Sequence, residues 1–134
     1  WRLRGGDPDS SPNTAKTVDQ AYVSQIKGNE ALGNLKRPTN IVVAWNGSTF
    51  IAETCDHVIR KISPGGEVTI LAGKLGHPGS RDGEGTLARF FCPTCLLLDS
   101  GHQFLIVADS ANDCLRAVSE DGRVTTFLGK SGEP

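Results

Sequence analysis

FIAETCDHVIRKISPGGEVTILAG, residues Phe50 to Gly73, and IVADSANDCLRAVSEDGRVTTFLG, residues Ile106 to Gly129, are one pattern written twice. Arg60-Lys61-Ile62-Ser63 answers to Arg116-Ala117-Val118-Ser119. Gly66-Glu67-Val68-Thr69 answers to Gly122-Arg123-Val124-Thr125. Both matches fall at one offset, 116 − 60 = 56 and 122 − 66 = 56. Self-similarity at a fixed period marks a repeat architecture, in which each copy is a supersecondary unit that stacks on its neighbour.

Each copy reads as a meander of short strands. Pro38 opens the first unit, and Ile41-Val42-Val43-Ala44 is β-branched and apolar, the pattern of an inner strand buried on both faces. Asn46-Gly47 turns the chain into Phe50-Ile51-Ala52. A loop from Glu53 to His57 leads to a third strand, Val58 to Ile62, and Pro64-Gly65-Gly66 turns it into a fourth, Val68 to Leu71. A Gly-rich, charged connection from Gly73 to Cys92 regains an apolar anchor at Leu87-Ala88-Arg89-Phe90-Phe91. Pro93 opens the second unit, with strands expected at Leu96 to Leu98, Phe104 to Ala108, Leu115 to Val118 and Val124 to Phe127. The predicted division is therefore 1–37, 38–92 and 93–134. In the first segment residues 1–6 read as the tail of a strand. Ser11-Pro12 followed by Val18, Tyr22 and Ile26 predicts a short amphipathic helix over about 13–27.

Bulk properties narrow the function. The 134 residues bound the chain to one ordinary domain. A net charge of −1 lacks the electrostatic footprint of a nucleic-acid or polybasic membrane binder, and no apolar run reaches the length of a membrane span. No Met is present, so residue 1 is not expected to be a translation start, and the chain reads as a processed product or a piece of something longer. Four Cys and the sequon Asn46-Gly47-Ser48 tilt the compartment toward an extracytosolic space or organelle lumen, with Asn46 a candidate glycosylation site and equally an ordinary turn residue.

The units resemble NHL repeats, the blades of a class of β-propellers. Val107-Ala108-Asp109 and Ala52-Glu53 carry the family's "VAD" position, and Ile59-Arg60-Lys61 and Leu115-Arg116 carry "IRK". Asp82-Gly83-Glu84-Gly85-Thr86-Leu87-Ala88-Arg89-Phe90 matches the inter-blade linker. The resemblance covers residues 35–129. Asn40 and Cys95 stand where the family usually has Gly, and Glu53 where it has Asp. The fold it implies is all-β: a partial propeller of two four-stranded antiparallel blades, plus the leading strand and helix. Glu53, Arg60, Asp109 and Arg116 are then expected to be structural blade residues, each carboxylate accepting N–H groups from the loop that follows it and each Arg reaching across to a carboxylate. Two blades leave faces and edges open, which implies further blades or other protein chains as partners.

No catalytic constellation is legible. Cys92-Pro93-Thr94-Cys95 is a CxxC in a β context, and blade topology turns Cys55, Cys92, Cys95 and Cys114 toward one face. Free thiols, one or two disulfides, a metal site and a redox pair all stay open; Cys95–Cys114 within a blade and Cys55–Cys92 across blades are the pairings to test. His57, His77 and His102 are scattered and read as exposed loop residues, and Asp82 to Gly85 lacks the alternating oxygen ligands of a calcium loop. No catalytic, metal-binding or cofactor-binding residue is therefore assigned. The expected function is a non-enzymatic scaffold for protein–protein interaction. The alternatives are a segment of a secreted metal-dependent lyase-like propeller and, less favoured, an RNA-binding module using Lys36, Arg37, Arg60, Lys61 and Lys74.

Overall fold

The structure, a computed structural model, describes residues 35–101 and 103–130. The expected leading strand and helix, and His102, lie outside the described residues. Two antiparallel sheets make up the rest. The first runs β1 (Pro38–Val43), β2 (Thr49–Glu53), β3 (Val58–Ile62), β4 (Val68–Gly73), each strand paired with the next in sequence. The second is five-stranded: β5 (Gly83–Glu84) pairs with β9 (Arg123–Gly129), followed by β8 (Cys114–Ser119), β7 (Phe104–Asp109) and β6 (Pro93–Leu98). Beyond the eight strands expected, the linker itself supplies a two-residue strand that covers the outer edge of β9.

The backbone repeats as faithfully as the side chains. Arg37 and Cys92, each just before a strand-opening Pro, both have φ of 58°. His57 and Asp113 end equivalent 3-10 turns (Thr54–Asp56 and Ser110–Asn112) at φ of 61° and 56°. These left-handed carbonyls explain the Gly that closes each unit. Gly73 and Gly129 have φ of 96° and 90°, and a Cβ on either would lie 2.6 Å from the His57 or Asp113 carbonyl oxygen. Only Gly fits both demands.

Strand alternation gives each sheet two different faces. On one face of β1–β4, register aligns Val42 with Phe50 and Lys61, and Ala52 with Ile59 and Ala72. On the corresponding second sheet, Leu96 aligns with Val107 and Arg116, and Leu98 with Leu105 and Val118. These two faces meet in a single core that joins Phe50, Ala52, Ile59 and Ala72 to Leu96, Leu105, Val107, Val118 and Val124, with Ala88 and Phe90 of the linker closing it. The sheets therefore stack head to tail, unlike face on unlike face. β1 departs from the expectation of burial on both sides: Ile41 and Val43, on its other face, are each 61% exposed. An apolar run announces that a strand has two dry-compatible faces; whether a neighbour covers the second one is a property of the assembly.

Candidate functional site

Two kinds of polar device are built on this frame. The first is a buried ion pair in each sheet. Arg60 Nε donates to Glu53 Oε1 at 2.6 Å, both groups buried. Arg116 Nη1 donates to Asp109 Oδ2 at 2.6 Å, also fully buried. Each carboxylate accepts a backbone N–H from the segment that precedes its sheet's first strand, Lys36 N to Glu53 at 2.6 Å and Phe91 N to Asp109 at 2.7 Å, rather than from the following loop. The reason is position: the carboxylate ends the second strand, antiparallel to the first, so it lies beside the chain entering the first. Buried charges are tolerable only when paired and hydrogen-bonded in this way.

Arg116 also holds the linker. It donates to the Arg89 and Arg81 carbonyls, both at 3.0 Å, and to Asp82 Oδ1 at 2.8 Å. Its guanidinium sits 5.1 Å over the Phe90 ring. Asn112 Nδ2 ties Asp109 to the Gly79 carbonyl. One arginine thus pins the middle of the linker and its C-terminal part to the second sheet. Asp82 in turn accepts from Thr126 N at 3.1 Å and Thr126 Oγ1 at 2.9 Å. Burial pushes the Asp82 carboxyl upward, but the hydrogen bonds from Thr126 and Arg116 outweigh it and hold the group below the usual carboxylate range. A depressed carboxyl stabilises the fold above its unfolded value of about 4 and loses that contribution as pH falls through the lower folded value. The urea midpoint should therefore drop below about pH 4, and Asp82→Asn should flatten that part of the drop while lowering the midpoint at pH 7. An acid slope unchanged by the substitution would refute this role.

The second device is a polar latch along the seam between sheets. Thr39 Oγ1 and Thr54 Oγ1 stand 2.8 Å apart at the end of the first sheet. Thr54 Oγ1 donates to the Pro93 carbonyl at 2.7 Å and Thr39 Oγ1 to the Thr94 carbonyl at 3.1 Å, the first two carbonyls of β6. Asn40 Oδ1 accepts from Leu96 N at 3.3 Å, and His57 Nδ1 accepts from Cys92 N at 3.1 Å while its ring meets Phe91 edge-on. His57 is half-buried in this seam, not an exposed loop residue as its sequence context predicts. The same hydroxyl pair recurs at the end of the second sheet: Thr94 Oγ1 and Ser110 Oγ are 2.5 Å apart.

The remaining sequence candidates are dispersed. Cys55 and Cys95 are exposed, Cys92 is half-buried and Cys114 is buried, and none is bridged. The Cys95–Cys114 pairing conflicts with the topology. β6 and β8 lie on either side of β7, about 9–10 Å apart at ordinary strand spacing, beyond the ~7 Å Cα separation that a disulfide spans. Among the described residues no group of three or more His, Cys, Asp or Glu could hold a metal ion. His77 Nδ1 is 2.9 Å from the Leu75 carbonyl in the exposed linker. Asn46 shapes its own turn, with its Oδ1 accepting from Ser48 N at 2.9 Å, and its Nδ2 reaches Glu120 at 3.2 Å. Arg60's burial removes it from the basic cluster weighed for RNA.

Sequence reasoning missed Trp45, 86% exposed on the β1–β2 turn, and Glu120 beside it. A usable signal was present. Residues that every unit needs recur in both, and Trp45 does not: the corresponding turn of the second unit has Ser100.

The architecture is that of a partial β-propeller: two radially stacked antiparallel sheets with β1 and β6 side by side as inner strands. No family model matches the chain. It is 29% identical over 136 residues to protein suppressor of quenching 1, chloroplastic, of Arabidopsis thaliana, an alignment that covers 98% of this chain and 12% of that protein. A Bacteroides thetaiotaomicron protein of unknown function matches in structure with a TM-score of 0.66 at 24% identity, over 81% of this chain and 28% of its own. An auxiliary nutrient binding protein from Bacteroides ovatus gives 0.57 at 24%, over 69% and 25%. Virginiamycin B lyase from Staphylococcus aureus gives 0.54 at 16%, over 72% and 28%. The chain thus spans a small part of the curated relative and roughly a quarter of each of these solved proteins. No helix among the described residues is long and apolar enough to cross a membrane.

Proposed function

We propose that the chain is two NHL-type blades of a larger β-propeller and serves as a non-enzymatic scaffold that engages other protein surfaces. The observation that carries this is an uncovered face. In β1–β4, the face bearing Val42, Phe50 and Ile59 is packed against the second sheet. The equivalent face of β6–β9, bearing Leu97, Phe104, Ile106, Leu115, Phe127 and Leu128, has no described sheet over it, and Leu97 and Leu128 are 62% and 60% exposed. A contiguous apolar face of this kind marks an interaction site. The Thr94–Ser110 hydroxyl pair stands at its end as Thr39–Thr54 stands at the covered one.

The inner strands argue against the lyase-like alternative for this segment. β1 and β6 read PTNIVV and PTCLLL and offer no His or carboxylate toward the ring axis. The likeness to virginiamycin B lyase, at 16% identity, speaks to fold alone.

The chain purified alone should run above its 14.2 kDa mass by light scattering, because the open face associates. Leu97→Asp should return it to 14.2 kDa with its β-sheet circular dichroism intact, since Leu97 lies outside the core. A folded wild-type chain that is monomeric at high concentration would overturn the reading.

A further inference from the structure

At the seam, three side chains of the first sheet read the backbone of Cys92-Pro93-Thr94, where β6 begins. His57 Nδ1 accepts the Cys92 N–H, Thr54 Oγ1 donates to the Pro93 carbonyl, and Thr39 Oγ1 donates to the Thr94 carbonyl. Proline has no N–H of its own. One acceptor ahead of it and two donors from it onward therefore match the polar pattern of a strand that opens with Pro.

In the second sheet the same places hold Asp113, Ser110 and Thr94. Asp113 ends its 3-10 turn at φ of 56°, as His57 does at 61°, so the two side chains leave one backbone conformation. Asp113 and Ser110 are exposed and Thr94 is half-buried. The Thr94–Ser110 contact uses one hydroxyl hydrogen, and the second has no protein acceptor among the described residues. The second sheet thus turns two hydroxyls and one acceptor toward solvent, beside its open apolar face.

The chain also carries the matching segment. Arg37-Pro38-Thr39 is the counterpart of Cys92-Pro93-Thr94 and has the same left-handed residue ahead of its Pro. All three residues are exposed, whereas Pro93 is buried and Cys92 and Thr94 are half-buried. The Arg37 N–H has no acceptor among the described residues. Ile41 and Val43, each 61% exposed, take the places of Leu96 and Leu98, which pack into the shared core from β6. Where the seam sets His57 against Cys92, the two exposed ends offer Asp113 and Arg37, which are opposite in charge.

We propose that Asp113, Ser110 and Thr94 bind the Arg37-Pro38-Thr39 segment of a second copy of this chain. Asp113 accepts the Arg37 N–H and faces its guanidinium, while the hydroxyls donate to the Pro38 and Thr39 carbonyls. Ile41 and Val43 of that copy then lie over Leu97 and its neighbours. Charge-assisted and backbone-directed contacts of this kind fix register, and the apolar contact supplies area. The inference rests on the scaffold reading and names what meets the open face and in which alignment.

The test is the dissociation constant of the full chain, measured by sedimentation equilibrium at low salt. Thr94→Val combined with Ser110→Ala should weaken association at least about tenfold, or about 1.4 kcal/mol, through the loss of two hydrogen bonds. Asp113→Asn and Arg37→Gln should each weaken it about threefold, and the two together no more than either alone, the signature of a direct pair. Circular dichroism checks each fold. A further reading needs no substitution. Cys95 is exposed and stands in the place of Asn40, which bonds across the seam. Iodoacetamide should label Cys95 more slowly above the dissociation constant than far below it, while the exposed Cys55 keeps one rate. A chain that associates but ignores the hydroxyl variants, additive effects of the two charge variants, or an unchanged Cys95 rate overturns this proposal and leaves the open-face reading standing. A chain that stays monomeric overturns both.

Discussion

Arg116→Ala should cost about 3–5 kcal/mol of stability, because it strands the buried Asp109 carboxylate without its cation. Marginal domains hold only about 5–15 kcal/mol in total. The loss should therefore appear as a large drop in urea midpoint, or as a chain that does not fold at 37 °C. Two further losses add to the first. The Arg81 and Arg89 carbonyls lose their donor, and Asp82 loses its ion pair. Arg116→Lys should recover only part of the stability. A single ammonium cannot serve Asp109, Asp82 and two carbonyls from the fork geometry that the guanidinium supplies. If Arg116→Ala costs less than about 1 kcal/mol, the network is not what holds the linker.

Phe90→Ala is the second large effect, expected at about 3–5 kcal/mol. Phe90 is fully buried, belongs to the core shared by both sheets and lies under the Arg116 guanidinium. Its removal opens a cavity at the point where three elements meet: the first sheet, the second sheet and the linker. The distinguishing readout is local. Gly83 and Glu84 pair with Val124 and Arg123, so loosening the linker should raise amide exchange along the outer edge of β9 before it does so in β2 and β3. Uniform acceleration across both sheets would mean that Phe90 contributes bulk stability without anchoring the linker.

Much of the frame was legible because it depends on local pattern. The strand at Val58 to Ile62 follows from branched apolar residues on both sides of Arg60 and a Pro-Gly-Gly turn after it. Its twin at Cys114–Ser119 follows from the repeat. The pairing of Gly83–Glu84 with β9 was not legible, since neither residue favours strands; the pairing exists because Asp82, held by Arg116 and Thr126, sets the linker against that edge. Exposure of Ile41 and Val43 could not be read either, because burial of a strand's second face is decided by what stacks on it. For the candidate sites, the carboxylate–Arg partners were readable from their recurrence, but their backbone donors were not, since Lys36 and Phe91 are brought in by antiparallel pairing. Trp45 needed the opposite logic, attention to what does not repeat.

The stacking of unlike faces has a consequence for assembly. A contact that joins one face to a different face cannot be repeated across a twofold axis, which sets the same patch opposite itself as in most homodimers. Every added sheet covers one open side and presents another of the same kind. Growth through this contact is heterologous, so it ends only where rotation closes it into a ring and otherwise continues as an open stack. The geometry thus makes ring closure, rather than any single strong contact, the event that protects the apolar surface.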